Sequence, residues 1–323
     1  MRRAFSIILI LHFQLWTVLS KTPNTKYWRS FQTEDGPSFE RNCYGRRQQS
    51  PIDIPKNGIK TQYEDFEYHN YGETPSKYSI INNGHTVKLF QMKDSSFPPF
   101  IIGGGLHSIY KFAQLHFHWG NSSTFGSEHT IDEEAFPLEL HMVHFNSKYG
   151  TNLEEAVQKG NGSFDTLAVL GILFEVQEED NLAFDEIVKG LSRVKYPEKT
   201  TYVAGFPLIN LLPQDKQSFY RYMGSLTTPL CDQIVVWTVY KETVGISERQ
   251  LEQFRELRAR QTKYPLVNTF RSVQSVNGRL VFEVSSSQKG SLSAMKNRID
   301  FLKSYINGIL SYIHGLSDLL NDS

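Results

Sequence analysis

Histidines at strand-like spacing are the residues of this chain best suited to chemistry. Six of the ten histidines lie between residues 107 and 144. Side chains two residues apart on a β-strand point to the same face, so His116 and His118 would lie side by side, and His141 would approach them from a second strand. Three neutral imidazoles with an open fourth position are typical of catalytic zinc, whereas structural zinc sites are closed and usually rich in cysteine. We therefore predict that these three histidines bind Zn²⁺.

Two polar residues are placed to orient the predicted ligands. Gln114 and Glu139 each precede one of these histidines by two residues, on the same strand face. Ligating imidazoles usually donate their second N–H to such an acceptor, so both residues are predicted to hold the ligands in place. His129 and His144 have a different spacing and face, and we interpret them as structural or supporting residues rather than ligands.

The composition indicates a folded globular protein without a nucleic-acid partner. The chain of 323 residues carries 34 Lys+Arg and 34 Asp+Glu, and 39% of its residues are hydrophobic. Binding to nucleic acid normally requires a basic surplus, which excludes that class. Short apolar or alternating runs divided by turn signals predict strands, and helices are predicted only around residues 181–194 and 247–260. We expect one sheet-centred domain over residues 21–284.

The first 20 residues are predicted to be a secretory signal peptide. A basic start at Arg2 and Arg3 precedes an apolar run over residues 5–19, small residues lie near Ser20, and a polar stretch follows at once. This order is typical of a cleaved leader, with an N-terminal membrane anchor as the alternative. No other segment is apolar enough to span a bilayer. We predict a secreted, extracellular protein.

Two cysteines and three glycosylation sequons fit an oxidising compartment. Cys43 and Cys231 are the only cysteines of the chain. They would form one disulfide, with two buried free thiols as the alternative. Asn121 and Asn161 begin N-x-S/T sequons and are predicted glycosylation sites, whereas the third sequon, at Asn321, lies at the end of the sequence.

Residues 285–323 differ in character from the rest and are predicted to form a linker and an amphipathic helix. Apolar residues recur there at alternating spacings of four and three, which is the pattern of a coiled-coil seam. These residues are Met295, Ile299, Leu302, Ile306, Ile309, Ile313, Leu316 and Leu320. Self-association into a homo-oligomer and docking on the chain's own domain explain the pattern equally well, and a helix on a lipid surface is a third alternative.

Six short motifs stand in the order and spacing of the α-class carbonic anhydrases, which the chain resembles from about residue 28 to residue 284. The motifs are Gln49–Ile54, Asn82–His85, Gln114–Gly120, Gly126–Thr130, Glu139–His141 and Gly224–Pro229. Cys43 and Cys231 look like the disulfide pair of the secreted and membrane-bound branch, and the C-terminal helix is similar to that of the secreted salivary type. The fold implied by the resemblance is a β-dominated α+β domain: a large, mostly antiparallel twisted sheet with small peripheral helices.

The resemblance also implies an activity and residue roles. The activity is that of a carbonate dehydratase, a zinc lyase that hydrates CO₂ reversibly to bicarbonate and a proton through a zinc-bound hydroxide. Thr227 would accept a hydrogen bond from the hydroxide and donate its own proton to Glu128, and His85 would shuttle protons to buffer. The residues at the substrate positions of the family are Val143, Val169, Leu226, Thr228, Val235 and Trp237.

Three departures from the family pattern bear on proton transfer and on one loop. Lys88 stands where relatives usually have Asn or Gln, and it would add a positive charge near His85. Leu230 replaces the second proline of the usual pair after the two threonines, so we expect the loop beside Thr228 to differ. Phe39 replaces a usual tryptophan.

A catalytically silent binding protein and a structural role based on oligomerisation are the competing hypotheses.

Overall fold

A 13-stranded β-sheet forms the centre of the protein. The computed structural model describes residue 43 and residues 46–92, 98–260 and 264–285. The strands are β1 (Asp53–Ile54), β2 (Ile59–Thr61), β3 (Glu67–His69), β4 (Lys77–Asn82), β5 (Val87–Gln91), β6 (Phe100–Gly103), β7 (Leu106–Trp119), β8 (Thr130–Ile131), β9 (Leu138–Asn146), β10 (Leu167–Gln177), β11 (Lys199–Ala204), β12 (Phe219–Gly224), β13 (Val235–Tyr240), β14 (Val244–Ser247) and β15 (Phe282–Val284). β1 and β8 pair separately, as a two-stranded parallel ribbon.

The large sheet is mixed, which corrects the prediction of a mostly antiparallel one. Its main path runs β11-β4-β5-β7-β9-β10-β13-β12-β15-β2, with β14 on β10, β6 on β7 and β3 on β6. β10 pairs in parallel with β13 and β14, and β15 pairs in parallel with β2. Parallel pairing needs a long crossover connection, and the chain between β10 and β13 is long enough to supply one. The predicted large sheet with small peripheral helices is confirmed.

Three α-helices lie around the sheet in the described part of the chain: α1 (Leu153–Gly160), α2 (Asp185–Leu191) and α3 (Glu248–Arg255). The helix expected around residues 247–260 is α3, which begins with a capping box between Ser247 and Gln250. The stretch expected around 181–194 contains α2 between two short 3₁₀ turns. The sequence interpretation missed α1, a short helix capped by Asn152.

Two hydrophobic cores pack on the central strands. All nine residues of β9 are buried, so its alternating side chains enter two different environments. Leu140 and Met142 belong to the larger core, under α2 and α3, whereas Val143 belongs to the smaller one. His141 and Glu139 share the face of Val143, so polar side chains lie beside the smaller core. Buried polar groups in that position must find partners.

The predicted disulfide between Cys43 and Cys231 is confirmed, with a Cα–Cα distance of 5.1 Å. It joins positions 188 residues apart in sequence, and a covalent link across so long a loop removes many unfolded conformations. The predicted signal peptide, Phe39 and the C-terminal helix lie outside the described residues. Within the described part, no helix is long and apolar enough to cross a membrane.

The loop between β12 and β13 contains two successive residues with left-handed backbone conformation; whether it differs from the loop of relatives, as expected from Leu230, stays a prediction. Leu230 and Cys231 have positive φ values of 85° and 48°. A side chain with a Cβ is disfavoured in this left-handed region by about 1–2 kcal/mol. The loop therefore carries local backbone strain next to the disulfide and three residues after Thr227.

Replacing Leu230 with glycine is expected to stabilise the protein. Glycine adopts positive φ without strain, and Leu230 is 59% exposed, so little packing is lost. We expect the Leu230→Gly variant to raise the free energy of unfolding by about 0.5–1 kcal/mol in urea titrations. The matched control is Leu182→Gly, at an exposed 3₁₀ position without positive φ, which should lower the same quantity. Equal losses in both variants would show that strain at residue 230 is negligible.

Candidate active site

Three histidines converge on the face of the smaller core. β7 and β9 pair antiparallel with His116 directly opposite His141, and His118 is two residues further along β7. The ring centroids of His118 and His141 are 4.6 Å apart, and His116 is 5.1 Å from each of them. One ring nitrogen from each residue lies within 4.8 Å of the others. Register and alternation therefore bring together the three ligands predicted from the sequence.

The second nitrogen of each imidazole has a hydrogen-bond acceptor. His116 Nδ1 lies 3.1 Å from Gln114 Oε1, His118 Nδ1 lies 2.7 Å from the carbonyl oxygen of Thr269, and His141 Nε2 lies 2.7 Å from Glu139 Oε1. A carbonyl or carboxylate oxygen only accepts, so these ring nitrogens carry the protons. The lone pairs remain on His116 Nε2, His118 Nε2 and His141 Nδ1. This is the arrangement of a metal site with oriented ligands.

Orphaned buried atoms support a cation at this position. His118 Nε2 is buried without a hydrogen-bond partner, and so is Glu128 Oε2, which lies 3.5 Å from it. Burial lowers the pKa of His116 well below its ordinary value and also lowers that of His118, so both imidazoles are neutral. Neutral imidazole is the form that binds metal ions. The three nitrogen donors fit zinc, which prefers nitrogen and sulfur ligands.

Glu139 organises the surroundings of the histidine cluster. Its Oε1 atom accepts from His129 Nδ1 and His141 Nε2, and its Oε2 atom accepts from the backbone N–H groups of Glu128 and His129. Burial raises the pKa of Glu139, but the two histidines outweigh that effect and hold it well below the usual range. The proximity of His129, Glu139 and His141 is therefore explained by hydrogen bonding rather than by a second metal site.

His129 and His144 lie outside the three-histidine cluster. Besides Glu139, His129 contacts the Tyr222 hydroxyl, which lies 2.6 Å from its Nε2. His144 is bonded to the Tyr71 hydroxyl and to the carbonyl oxygen of Ala168. Burial lowers the pKa of His144 to about 3, so it is neutral and packs as a core residue. Both residues therefore have partners of their own.

The carboxylate of Glu128 faces the cluster from the loop before β8. Its Oε1 atom accepts from the backbone N–H of Arg271 at 2.8 Å, and its Oε2 atom is 3.9 Å from His141 Nδ1. Thr227 is buried in the loop between β12 and β13. Since Glu128 Oε2 has no hydrogen-bond partner in the described chain, the bond expected from Thr227 to this atom stays a prediction.

The predicted apolar substrate residues form one continuous wall beside the histidines. Val143, Val169 and Trp237 occupy neighbouring positions on β9, β10 and β13, because Val169 is paired with both of the others. Val235 is buried in the same core, and Leu226 packs partly buried against it. The ring centroids of Trp237 and His141 are 4.8 Å apart. Thr228 is half-buried in the adjacent loop.

His85 and Lys88 lie at the start of β5, the strand beside β7. His85 is half-buried in the turn before the strand, where its backbone N–H donates to Asn83 Oδ1 at 3.0 Å. Lys88 is paired with His116 across the two strands, and burial lowers its pKa. The lysine is thus a cation beside the histidine cluster, three residues after His85 in the chain.

The remaining predicted positions are on the surface, and one contact was not foreseen. Asn121 and Asn161 are exposed, and Asn161 ends α1 in the left-handed conformation. The hydrogen bond from His118 to the Thr269 carbonyl was missed because a backbone acceptor 151 residues away has no signature in the sequence. The other two acceptors, Gln114 and Glu139, have one because they lie on the ligand strands.

Comparison with known proteins gives a consistent result. The family model described as eukaryotic-type carbonic anhydrase matches residues 32–285. Human "Carbonic anhydrase 12" is 36% identical over 273 residues, covering 80% of this chain and 73% of that protein. Rat "Carbonic anhydrase 4" is 34% identical and covers 78% of this chain and 80% of that protein. "Putative carbonic anhydrase 3" of Caenorhabditis elegans is 35% identical, over 73% of this chain and 89% of that protein.

Substituting the convergent histidines is expected to abolish metal binding. Alanine at His116, His118 or His141 should lower Co²⁺ affinity more than about 100-fold. Gln114→Leu, which removes only the hydrogen bond that orients His116, should lower Co²⁺ affinity about 10–100-fold. The visible absorption of bound Co²⁺ reports affinity without an activity assay. His107→Ala, at an exposed histidine of β7, is the control and should bind normally. Unchanged Co²⁺ spectra in the three ligand variants would contradict this assignment.

Proposed function

Because the chain belongs to the eukaryotic-type carbonic anhydrase family, we propose that His116, His118 and His141 hold Zn²⁺ for the reversible hydration of CO₂. The family makes the protein a carbonate dehydratase, which converts CO₂ and water to bicarbonate and a proton. One observation supports the metal most directly. Each of the three buried imidazoles uses one nitrogen for a hydrogen bond, and the lone pair of its other nitrogen remains available for a metal ion. When bound, zinc acts as a Lewis acid that allows water to ionise near neutral pH.

Thr227 and Glu128 are proposed to orient the attacking water. A threonine hydroxyl can donate one hydrogen bond while accepting another, so Thr227 can donate to Glu128 and accept from the nucleophile. Glu128 is suited to the accepting role because its Oε1 atom is fixed by the Arg271 N–H while Oε2 remains available. Fixing the nucleophile in this way replaces random orientation with a reactive geometry.

The apolar wall is proposed to hold CO₂. Carbon dioxide has no net dipole and makes weak hydrogen bonds, so a dry surface binds it without competing with water for the polar groups. Val143, Val169 and Trp237 provide that surface next to His141. Thr228, a half-buried polar residue of the adjacent loop, is proposed to contact the bicarbonate product.

His85 is proposed to carry the released proton to buffer. Imidazole ordinarily titrates near neutral pH, which suits a group that must accept and release a proton in each cycle. Its half-buried position at the beginning of β5 fits a site between the cluster and solvent. Lys88, three residues further along the chain, is paired with His116 and would add a positive charge near this route.

A catalytically silent binding role is the competing proposal. Loss of catalysis without loss of fold requires loss of a ligand or of the group that orients the nucleophile. Here the three histidines, Thr227 and Glu128 are all retained and buried. These retained residues favour catalysis.

The protein is proposed to be secreted. The basic and apolar N-terminal residues 1–20 support a cleaved leader, and the Cys43–Cys231 disulfide supports an oxidising compartment. Expression of the full chain in eukaryotic cells should release a protein whose N-terminus lies near Lys21, as measured by N-terminal sequencing. Retention at the membrane with residues 1–20 intact would instead indicate an anchor. Glycosidase treatment of the same sample tests whether Asn121 and Asn161 are glycosylated.

CO₂ hydration is expected to depend on both zinc and Thr227. Stopped-flow measurements should show hydration that is lost after chelation and restored by Zn²⁺. The Thr227→Val variant should lower kcat/KM about 100-fold or more, since it removes the orienting hydroxyl, whereas Thr227→Ser keeps that hydroxyl and most of the activity. Tightly bound zinc without hydration in the wild-type protein would favour the silent binding role.

Replacing His85 with alanine is expected to slow proton transfer but not the attack on CO₂. The variant should lose at least about 10-fold in kcat at low buffer concentration, with kcat/KM unchanged, and added imidazole should restore kcat. His107→Ala is the matched control, because this exposed histidine lies away from the start of β5. If kcat of His85→Ala equals that of the wild type at low buffer, another route carries the proton.

A further inference from the structure

A buried arginine on β12 lacks an acidic partner. Arg221 is 3% exposed, and its guanidinium donates to the Trp237 carbonyl at 3.1 Å and to Thr238 Oγ1 at 2.9 Å. Among the described residues, no carboxylate forms an ion pair with it, although Glu64 attracts its charge from a greater distance. A buried cation in this situation is costly unless an anion compensates its charge.

Aromatic rings compensate part of that cost. The guanidinium carbon of Arg221 lies 5.2 Å from the Phe219 ring centroid, 5.6 Å from that of Tyr63 and 5.9 Å from that of Phe66. Cation–π contacts of this kind stabilise a desolvated guanidinium. Burial lowers the pKa of Arg221 to about 10, so the group remains charged at neutral pH. The rings stabilise the cation but cannot neutralise it.

Arg221 reaches a cavity of about 600 Å³ with further cations in its wall. Arg47, which is exposed, and Arg279 also line the cavity. Arg279 bonds only to backbone carbonyl oxygens within the described chain, so its charge is not neutralised either. The one carboxylate in the described wall, Asp165, already accepts from the Tyr149 hydroxyl at 2.7 Å. The cavity therefore has an excess of positive charge.

The rest of the wall is mainly apolar and aromatic. It includes Tyr63, Tyr110, Phe164, Val236, Leu280 and Phe282. A volume of this size suits a small organic molecule rather than a single inorganic ion. We propose that the cavity binds a small organic monocarboxylate, whose anionic group pairs with Arg221 and whose apolar body packs on these rings. Arg279 and the exposed Arg47 add two further cations to the wall of the site.

The proposed site is separate from the histidine cluster. Side chains alternate along β12, so Arg221 and Tyr222 point to opposite faces of the sheet. The Tyr222 hydroxyl bonds to His129 while part of Tyr222 also lines the cavity. The guanidinium of Arg221 packs against Phe66 and Phe219 of the larger core, and none of the three clustered histidines lines the cavity. The inference consequently does not rest on the proposed zinc chemistry.

A brominated carboxylate provides a direct test. Crystals of the zinc-loaded protein soaked with 4-bromobenzoate should give an anomalous bromine peak in the cavity, with the carboxylate within hydrogen-bond distance of Arg221. Calorimetry with the zinc site blocked by a tight-binding aromatic sulfonamide should show one further binding event. The neutral analogue 4-bromobenzamide should bind at least 10-fold more weakly, since it cannot compensate the charge.

Variants separate a built site from adventitious binding. Arg221→Met keeps an unbranched, somewhat shorter apolar stem and removes the charge, and it should weaken 4-bromobenzoate binding at least 10-fold. Arg47→Ala changes only an exposed residue and should weaken binding about threefold, which keeps the test valid if Arg221→Met fails to fold. Arg193→Ala, at an exposed arginine outside the cavity, should bind normally. The proposal is overturned by bromine found only at the histidine cluster, by equal binding of the amide, or by a segment of the chain itself filling the cavity.

Discussion

The buried carboxylate of Glu139 is the group on which the geometry of the site depends. It is fully shielded from solvent and accepts four hydrogen bonds, from two backbone N–H groups and two imidazoles. These bonds fix the tautomer of His141 and place the backbone of Glu128 next to the cluster. Space for the carboxylate comes from Gly171 on β10, where a Cβ would lie 3.2 Å from Glu139 Oε1. A buried carboxylate that accepts four hydrogen bonds resists rearrangement.

Strand alternation separates two functions within the same few strands. On β9, Leu140 and Met142 enter the larger core, while Glu139, His141 and Val143 build the site. One face of the sheet thus packs against the larger core, and the other face carries the polar groups and the apolar wall of the site. A slip of one residue between β7 and β9 would move His141 to the wrong face, so the hydrophobic pattern that sets the register also sets the ligand geometry.

The sequence predicted the parts of the site that depend on short-range periodicity. His116 and His118 were paired by alternation alone, and Gln114 and Glu139 followed from the same rule. Features set by distant segments were out of reach, such as the Thr269 carbonyl beside His118 and the parallel pairing of β10 with β13. α1 was missed because its eight residues give too few turns for a clear apolar period. The family resemblance supplied Thr227 and Glu128, whose residue types alone are unremarkable.

The disulfide connects the threonine loop to the redox state of the surroundings. Cys231 is the second of the two strained residues that follow Thr227, and its carbonyl oxygen accepts from Gln49 Nε2. The histidines lie on paired strands and need no such tether. The loop has two backbone hydrogen bonds of its own, donated by Leu226 and Cys231, and the disulfide is its covalent attachment to the segment around Cys43. In a reducing cytosol a newly made chain would therefore keep its ligands in place but lack a fixed loop. Oxidation of the cysteine pair therefore acts as a maturation step for this loop, independent of the pairing of the ligand strands.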